Sequence, residues 1–165
     1  MNIEQHYKEI APKLTNFLVG NGMEYHTACD IVQETFMRIW KMKDDVKDDP
    51  EQVSGLAFTI ARNLRASFYR DNARMTYIPE VRDEDDTRGS VGPAAVPSDS
   101  EYLRSRITEA LNKLPPMLRE AYTMFQISEM PIKQIAAQLG VTENLVKVRI
   151  HRAKQQLQPL LKDLL

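Results

Sequence analysis

One cysteine, Cys29, stands in a chain of 165 residues, so no internal disulfide can form and a reducing compartment suits the protein. Histidine is almost as scarce: of His6, His26 and His151, only His26 has a second metal-type ligand near it, Cys29 one helical turn on, with Asp30 adjacent. A zinc site wants about four ligands. No second pair exists, so no metal and no cofactor are expected. No apolar run approaches the roughly 20 residues that span a bilayer. The opening MNIEQHYKEIAPK is polar and lacks the apolar stretch of a signal peptide. A Gly-rich phosphate loop and a nucleophile motif are both missing, which leaves an enzyme little to work with. A cytoplasmic, non-enzymatic protein is expected.

What is present is charge, and it is segregated. Residues 1–76 hold 10 Lys/Arg against 11 Asp/Glu, a net −1. Residues 77–101 hold 2 against 7, a net −5, and residues 102–165 hold 10 against 5, a net +5. The whole-chain value of −1 conceals a basic C-terminal part. The middle stretch, EVRDEDDTRGSVGPAAVPSDS, is acidic and rich in Gly, Pro and Ser. It buries too little to offset the cost of ordering it, and reads as a flexible linker. Extended at about 3.3 Å per residue, it can span tens of Å.

The flanking segments are helical by periodicity, with no convincing alternating strand. The first holds an amphipathic stretch at 5–19, ended near Gly20-Asn21-Gly22, a helix from His26 to Lys43, and a third from Val53 to Ala73. On the second helix Ala28, Ile31, Val32, Thr35, Phe36 and Ile39 form the apolar stripe; Asp30, Gln33, Glu34, Met37, Arg38 and Lys41 lie opposite. On the third, Leu56, Ala57, Ile60, Ala61, Leu64 and Phe68 point inward. Phe58, Thr59, Arg62, Asn63, Arg65, Ala66, Tyr69 and Arg70 point outward. Arginines suit phosphates and aromatics suit unpaired bases.

The most informative stretch is PIKQIAAQLGVTENLVKVRIHRAKQQL, residues 131–157. Ile132, Ile135, Ala136 and Leu139 share one helical stripe. Gly140 ends that helix where a left-handed residue is cheapest. Thr142 can cap the next, with Glu143 at its positive end. The second stripe is Val146, Ile150, Ala153 and Leu157, and these two helices with a tight turn describe a helix-turn-helix. The outer face of its second helix carries Asn144, Leu145, Lys147, Val148, His151, Arg152 and Gln155, with Arg149 and Lys154 at the margins. Such a basic, hydrogen-bonding face fits a DNA major groove. Helices from Tyr102 to Leu114 and from Met117 to Ile127, split by Pro115-Pro116, complete the third segment. The fold class is all-α: two small helical domains, 1–76 and 102–165, joined by the acidic linker 77–101.

DIVQETFMRIWK at 30–41, FTIARNLRASFYR at 58–70 and the helix-turn-helix follow one another in this order, with the linker before the third. In that combination the chain resembles bacterial RNA polymerase sigma factors of the small extracytoplasmic-function type. The resemblance implies that the second helix docks on core RNA polymerase through Asp30, Gln33, Glu34, Met37, Arg38 and Lys41. Trp40 is equally readable as a partner anchor or as the edge of the core. The third helix and the loop at 44–52 are then expected to recognise and melt the −10 element. Arg62, Asn63, Arg65, Tyr69 and Arg70 line that face, with Asn63 set for direct base contact. The helix-turn-helix is expected to read the −35 element through Lys147, Val148, Arg149, His151, Arg152 and Lys154. Relatives often carry Ser where this chain has Val148, which offers a methyl surface for thymine instead of a hydrogen bond. Leu56 stands where an aromatic is common, and the 44–52 loop is strongly acidic. Core RNA polymerase, promoter DNA in duplex and melted form, and an anti-sigma factor are the implied partners, with no membrane insertion. Two other readings remain at this level: an autonomous helix-turn-helix repressor or activator, and an interaction module that sequesters another regulator. A repressor usually dimerises to read two half-sites and binds duplex DNA alone.

Overall fold

A computed structural model describes residues 1–75 and 99–164. The expected linker, 77–101, therefore lies outside the described residues except for its last three. Those three are helical: they open a helix at Asp99. Among the described residues the chain is all-α, with seven α-helices and two short 3₁₀ turns. They are α1 Ile3–Gly20, α2 Tyr25–Lys41, α3 Pro50–Met75, α4 Asp99–Asn112, α5 Pro116–Gln126, α6 Ile132–Leu139 and α7 Glu143–Leu160, with 3₁₀ turns at Lys43–Asp45 and Lys162–Leu164.

Local chemistry accounts for the helix ends. Asn2 caps α1 by accepting from the Gln5 amide at 3.1 Å. Glu24 caps α2 by accepting from the amides of His26 and Thr27, and the His26 amide is the main reason its carboxyl lies below the usual carboxylate range. Asp49 caps α3 through the Gln52 amide, and Pro50 takes the first helical position, where its missing N–H is no loss. The helix thus begins three residues before the Val53 that periodicity marks. Gly140 has φ 68°, the left-handed end anticipated for α6, and Thr142 caps α7 by accepting from the Leu145 amide at 3.1 Å.

Helices α1, α2 and α3 form one layered unit, and α4 to α7 form the other. The two units do not sit apart. One buried cluster runs from Leu14, Phe17, Leu18, Ile39 and Val53 in the first to Ala121, Met124, Ile135, Val146 and Ile150 in the second. A smaller cluster of Leu111, Leu114, Ala153 and Leu157 holds α4 against α7, with Leu160 packed at its edge. Between the units Gly20 makes a close approach: a Cβ there would meet Thr123 Cγ2 at 3.3 Å and Ile127 Cδ1 at 3.4 Å. Next to it the buried Asn21 amide donates to Phe17 O at 2.8 Å and to Thr123 Oγ1 at 2.9 Å. Arg119 reaches back to donate to Asn21 O at 3.3 Å, and Ser128 donates to Lys13 O at 3.0 Å.

Phe58 corrects the sequence reading. It is buried, not outward, and meets Phe17 edge to face at 5.4 Å between ring centres. Because α3 packs on α1, α2 and α6, its buried arc is wider than one helical stripe. Conversely Leu56, Ile60, Leu64 and Phe68 are only half-buried.

Candidate nucleic-acid and polymerase faces

Helix α7 presents its outer face as the periodicity predicts. Val146, Ile150, Ala153 and Leu157 are buried, while Asn144, Leu145, Lys147, Val148, His151, Arg152, Lys154 and Gln155 are exposed and Arg149 is half-buried. Leu145 and Val148 lie one turn apart, 38% and 41% exposed, and make an apolar patch within the cationic row. Lys154 leans away from that row, its Nζ 5.7 Å from the centre of the Phe125 ring of α5. Cations and apolar groups together on one accessible helix suit both base edges and phosphates.

Helix α3 behaves differently. Asn63, Tyr69 and Arg70 face solvent, and Arg70 donates to Ser67 Oγ at 3.0 Å. Arg62 and Arg65 do not. Arg62 forms a forked contact with Glu120 of α5, with Nε and Nη2 3.2–3.3 Å from its oxygens, and donates from Nη1 to Gln138 O at 3.0 Å. Arg65 Nη1 lies 3.6 Å from Glu120 Oε2, its Nε is buried without an acceptor, and its guanidinium stands 5.6 Å from the Tyr69 ring centre. Gln138 completes the tie, donating to Gly55 O at 2.7 Å and to Thr59 Oγ1 at 3.1 Å. One side of α3 is thereby covered by α5 and α6, and a groove of about 860 Å³ lined by Gln52, Gly55, Asn63, Lys133, Gln134 and Ala137 remains between α3 and α6. Sequence reasoning missed Glu120 and Gln138, which look like ordinary surface residues of their own helices.

The acidic loop before α3 has much of its charge in structural use. Asp49 caps α3, and Asp48 pairs with the buried His6 of α1. Asp44 and Asp45 remain exposed in the 3₁₀ turn.

Helix α2 exposes most of the face that the sequence reading assigns to a partner. Asp30, Gln33, Met37, Arg38 and Lys41 are exposed, and Glu34, half-buried, accepts from Arg38 at 3.0 Å one turn on. Beside them Tyr7, Phe36, Met37 and Trp40 line a shallow groove of about 430 Å³. Trp40 is 45% exposed, with Lys43 Nζ 4.1 Å from its ring centre, so it belongs to this surface and not to the core. Cys29 is free and half-buried. Among the described residues no three His, Cys, Asp or Glu side chains gather to hold a metal ion, and no helix is long and apolar enough to cross a membrane.

Known protein families match the chain over both units. The family model described as Sigma-70 region 2 matches residues 3–75, and that described as Sigma-70, region 4 matches residues 104–157. The chain is similar to the ECF RNA polymerase sigma factor SigM of Bacillus subtilis, 28% identical over 162 residues that cover 97% of this chain and 95% of that protein. It is 31% identical over 151 residues to the ECF RNA polymerase sigma factor EcfG of Rhodopseudomonas palustris, covering 91% of this chain and 80% of that one. Among solved structures, the sigma factor RpoE in complex with the anti-sigma factor NepR from Bartonella quintana matches with a TM-score of 0.74 and 29% identity, over 96% of each chain.

Proposed function

The chain belongs to the extracytoplasmic-function RNA polymerase sigma factors of the sigma-70 family, and from that premise we propose how its two units divide the work. As a sigma factor it binds core RNA polymerase and directs promoter-specific initiation. The unit α1–α3 engages the polymerase through the α2 face of Asp30, Gln33, Glu34, Met37, Arg38 and Lys41. It receives the −10 element along α3, with Asn63 at a base and Arg62, Arg65, Tyr69 and Arg70 along the strand. The unit α4–α7 reads the −35 element through Lys147, Val148, Arg149, His151, Arg152 and Lys154. The work is recognition and strand capture, without covalent chemistry, and it is carried out in the cytoplasm. The 77–101 stretch, at up to about 3.3 Å per residue, is long enough in sequence for the units to reach the spacing that two promoter elements require.

The observation that carries this division is the contrast in exposure. The α7 row is accessible, while Arg62 and Arg65 are half-buried and engaged by Glu120, so a single strand must compete with that carboxylate for them. A free chain therefore holds two of the five side chains of its strand-binding face in ion pairs, and polymerase, by binding the two units apart, frees them. An anti-sigma protein is a natural further partner, since the similar RpoE structure was solved with one bound.

The test is transcription in vitro with purified core polymerase on sheared genomic DNA, with and without the protein, mapping RNA starts. New discrete starts that share upstream elements and vanish on Asn63→Ala or Arg152→Ala are expected. No new starts and no core binding, combined with tight duplex binding by the protein alone, would instead indicate an autonomous repressor or activator.

A further inference from the structure

The loop between α2 and α3, residues 42–49, has few ties to the rest of the molecule. Its hydrogen bonds are mostly local: Asp45 N to Met42 O, Val46 N to Lys43 O and Asp49 N to Lys47 O. Val46 packs partly against the core. The hydrogen bond that ties the loop to α1 is made by Asp48, whose carboxylate accepts from His6 Nε2 across 42 positions of sequence.

From this arrangement we infer that His6 and Asp48 form a clip that fixes the loop against α1, and that they are positioning residues for the unpaired promoter base received beside Asn63. The inference rests on the sigma-factor reading given above, in which α3 and the loop before it meet the −10 element together.

Three features support it. His6 is only 5% exposed, on the second turn of α1, so its ring is held by packing before Asp48 is considered. With a carboxylate as partner, Nε2 carries the hydrogen and donates. Nδ1 is then buried with no partner. A leucine would fill the same space without orphaning a nitrogen, so packing alone does not account for a histidine. Asp48 is half-exposed, yet its carboxylate is held by His6, and that bond draws it below the usual range. Finally, Asp49 next in sequence caps α3, the helix that carries Asn63. Clipping Asp48 therefore sets the loop relative to both α1 and the start of α3. Misplacing a reacting or binding group by about 1 Å can cost up to about 100-fold, so a loop with so few ties gains function from one rigid anchor.

The experiment uses the full chain with core polymerase on the strongest promoter mapped with the wild-type protein, and on templates with its −10 bases changed one at a time. His6→Leu and Asp48→Ala are compared with His6→Gln and Asp48→Asn. Glutamine places a donor nitrogen near the Nε2 position, and asparagine keeps the acceptor oxygen. His6→Asn, whose donor sits near the Nδ1 position, serves as the mispositioned control. Transcript yield and permanganate reactivity of melted thymines are read alongside core affinity and duplex −35 binding. The clip predicts roughly tenfold less melting for His6→Leu and Asp48→Ala, within the range that small misplacements produce. It also predicts a flattened preference among the −10 variants, recovery with Gln and Asn at their respective positions, no recovery with His6→Asn, and unchanged core affinity. Should His6→Leu fail to fold, Asp48→Ala alters only a half-exposed side chain and still decides. Wild-type discrimination in Asp48→Ala, or a uniform loss with the −10 preference intact, overturns the inference. A wild-type protein that yields no starts overturns the sigma reading as well, and is recognised by the absence of any parent signal.

Discussion

Helices α3 and α7 carry similar sets of arginine and other polar groups, yet they meet the rest of the molecule in opposite ways. On α7 the cationic row lies open, and the buried stripe behind it is packed by the helices of its own unit. On α3 two of the arginines turn into the other unit and share one carboxylate, Glu120. The two surfaces differ in kind as well. Duplex DNA presents groove edges that a rigid helix can approach at any time. A melted strand exists only once polymerase and promoter have met, and a surface with affinity for any single strand invites wrong partners beforehand. Covering the second surface and leaving the first open fits those different needs.

The contrast can be broken or sharpened in graded ways. The largest effect belongs to Phe58→Ala, which empties a fully buried site against Phe17 and costs about 3–5 kcal/mol in urea unfolding. A truly solvent-facing position would cost less than about 0.5 kcal/mol. On the open side Arg152→Ala removes a side chain proposed to read a base, and is expected to weaken promoter retention by about 1–3 kcal/mol, read by filter binding of the polymerase complex. A loss confined to changed upstream bases is the expected signature, and an equal loss on every template would assign Arg152 to a phosphate. On the covered side Glu120→Ala frees two arginines. The free chain then binds a single-stranded oligonucleotide more tightly, with a salt dependence steeper by roughly 1.4, two phosphate contacts at about 0.7 each. Fluorescence anisotropy across a salt series checks this, and an unchanged slope would show that Glu120 does not mask α3. Thr142→Ala removes the cap of α7 and costs about 1 kcal/mol, visible as a thermal shift with −35 duplex binding weakened more than core binding.

The smallest effect is that of acid. Glu24, Asp48 and Asp163 each have carboxyls held below their ordinary values of 4.5, 3.8 and 3.8, by the His26 amide, by His6 and by Arg106 respectively. A carboxyl depressed in the folded state contributes stability above its unfolded value and loses it as pH falls through the lower folded one. Unfolding midpoints are therefore expected to hold from pH 7 to about 5 and to decline below about 4.

The helix-turn-helix was legible residue by residue, because each of its parts is a local rule. Gly140 adopts the left-handed conformation it permits, Thr142 caps, and the stripe of Val146, Ile150, Ala153 and Leu157 is buried as spaced. The α2 face was equally plain. The start of α3 was readable in Asp49-Pro50, a cap followed by proline, but the acidity around it pointed to loop. Phe58, Glu120, Gln138 and the Asn21–Thr123 pair were not readable. Their partners lie 41 to 102 positions away, and a period of 3.6 residues says which side of a helix is apolar without saying what a second unit brings to it. Arg62 and Arg65 were correctly placed on one face of α3, and only the packed structure shows that this face is occupied.

The ties over α3 have a consequence for the order of events. They are ion pairs and amide contacts, and Arg65 keeps one donor unsatisfied while they last. Such contacts can be traded one at a time for water, polymerase carboxylates or DNA phosphate, but the apolar cluster that the two units share must part with them. Release of α3 is then a stepwise exchange of polar contacts coupled to one cooperative opening of that shared core. On the proposed division of work, helix α7 needs no exchange at all, so a search along duplex DNA can begin before α3 is fully uncovered.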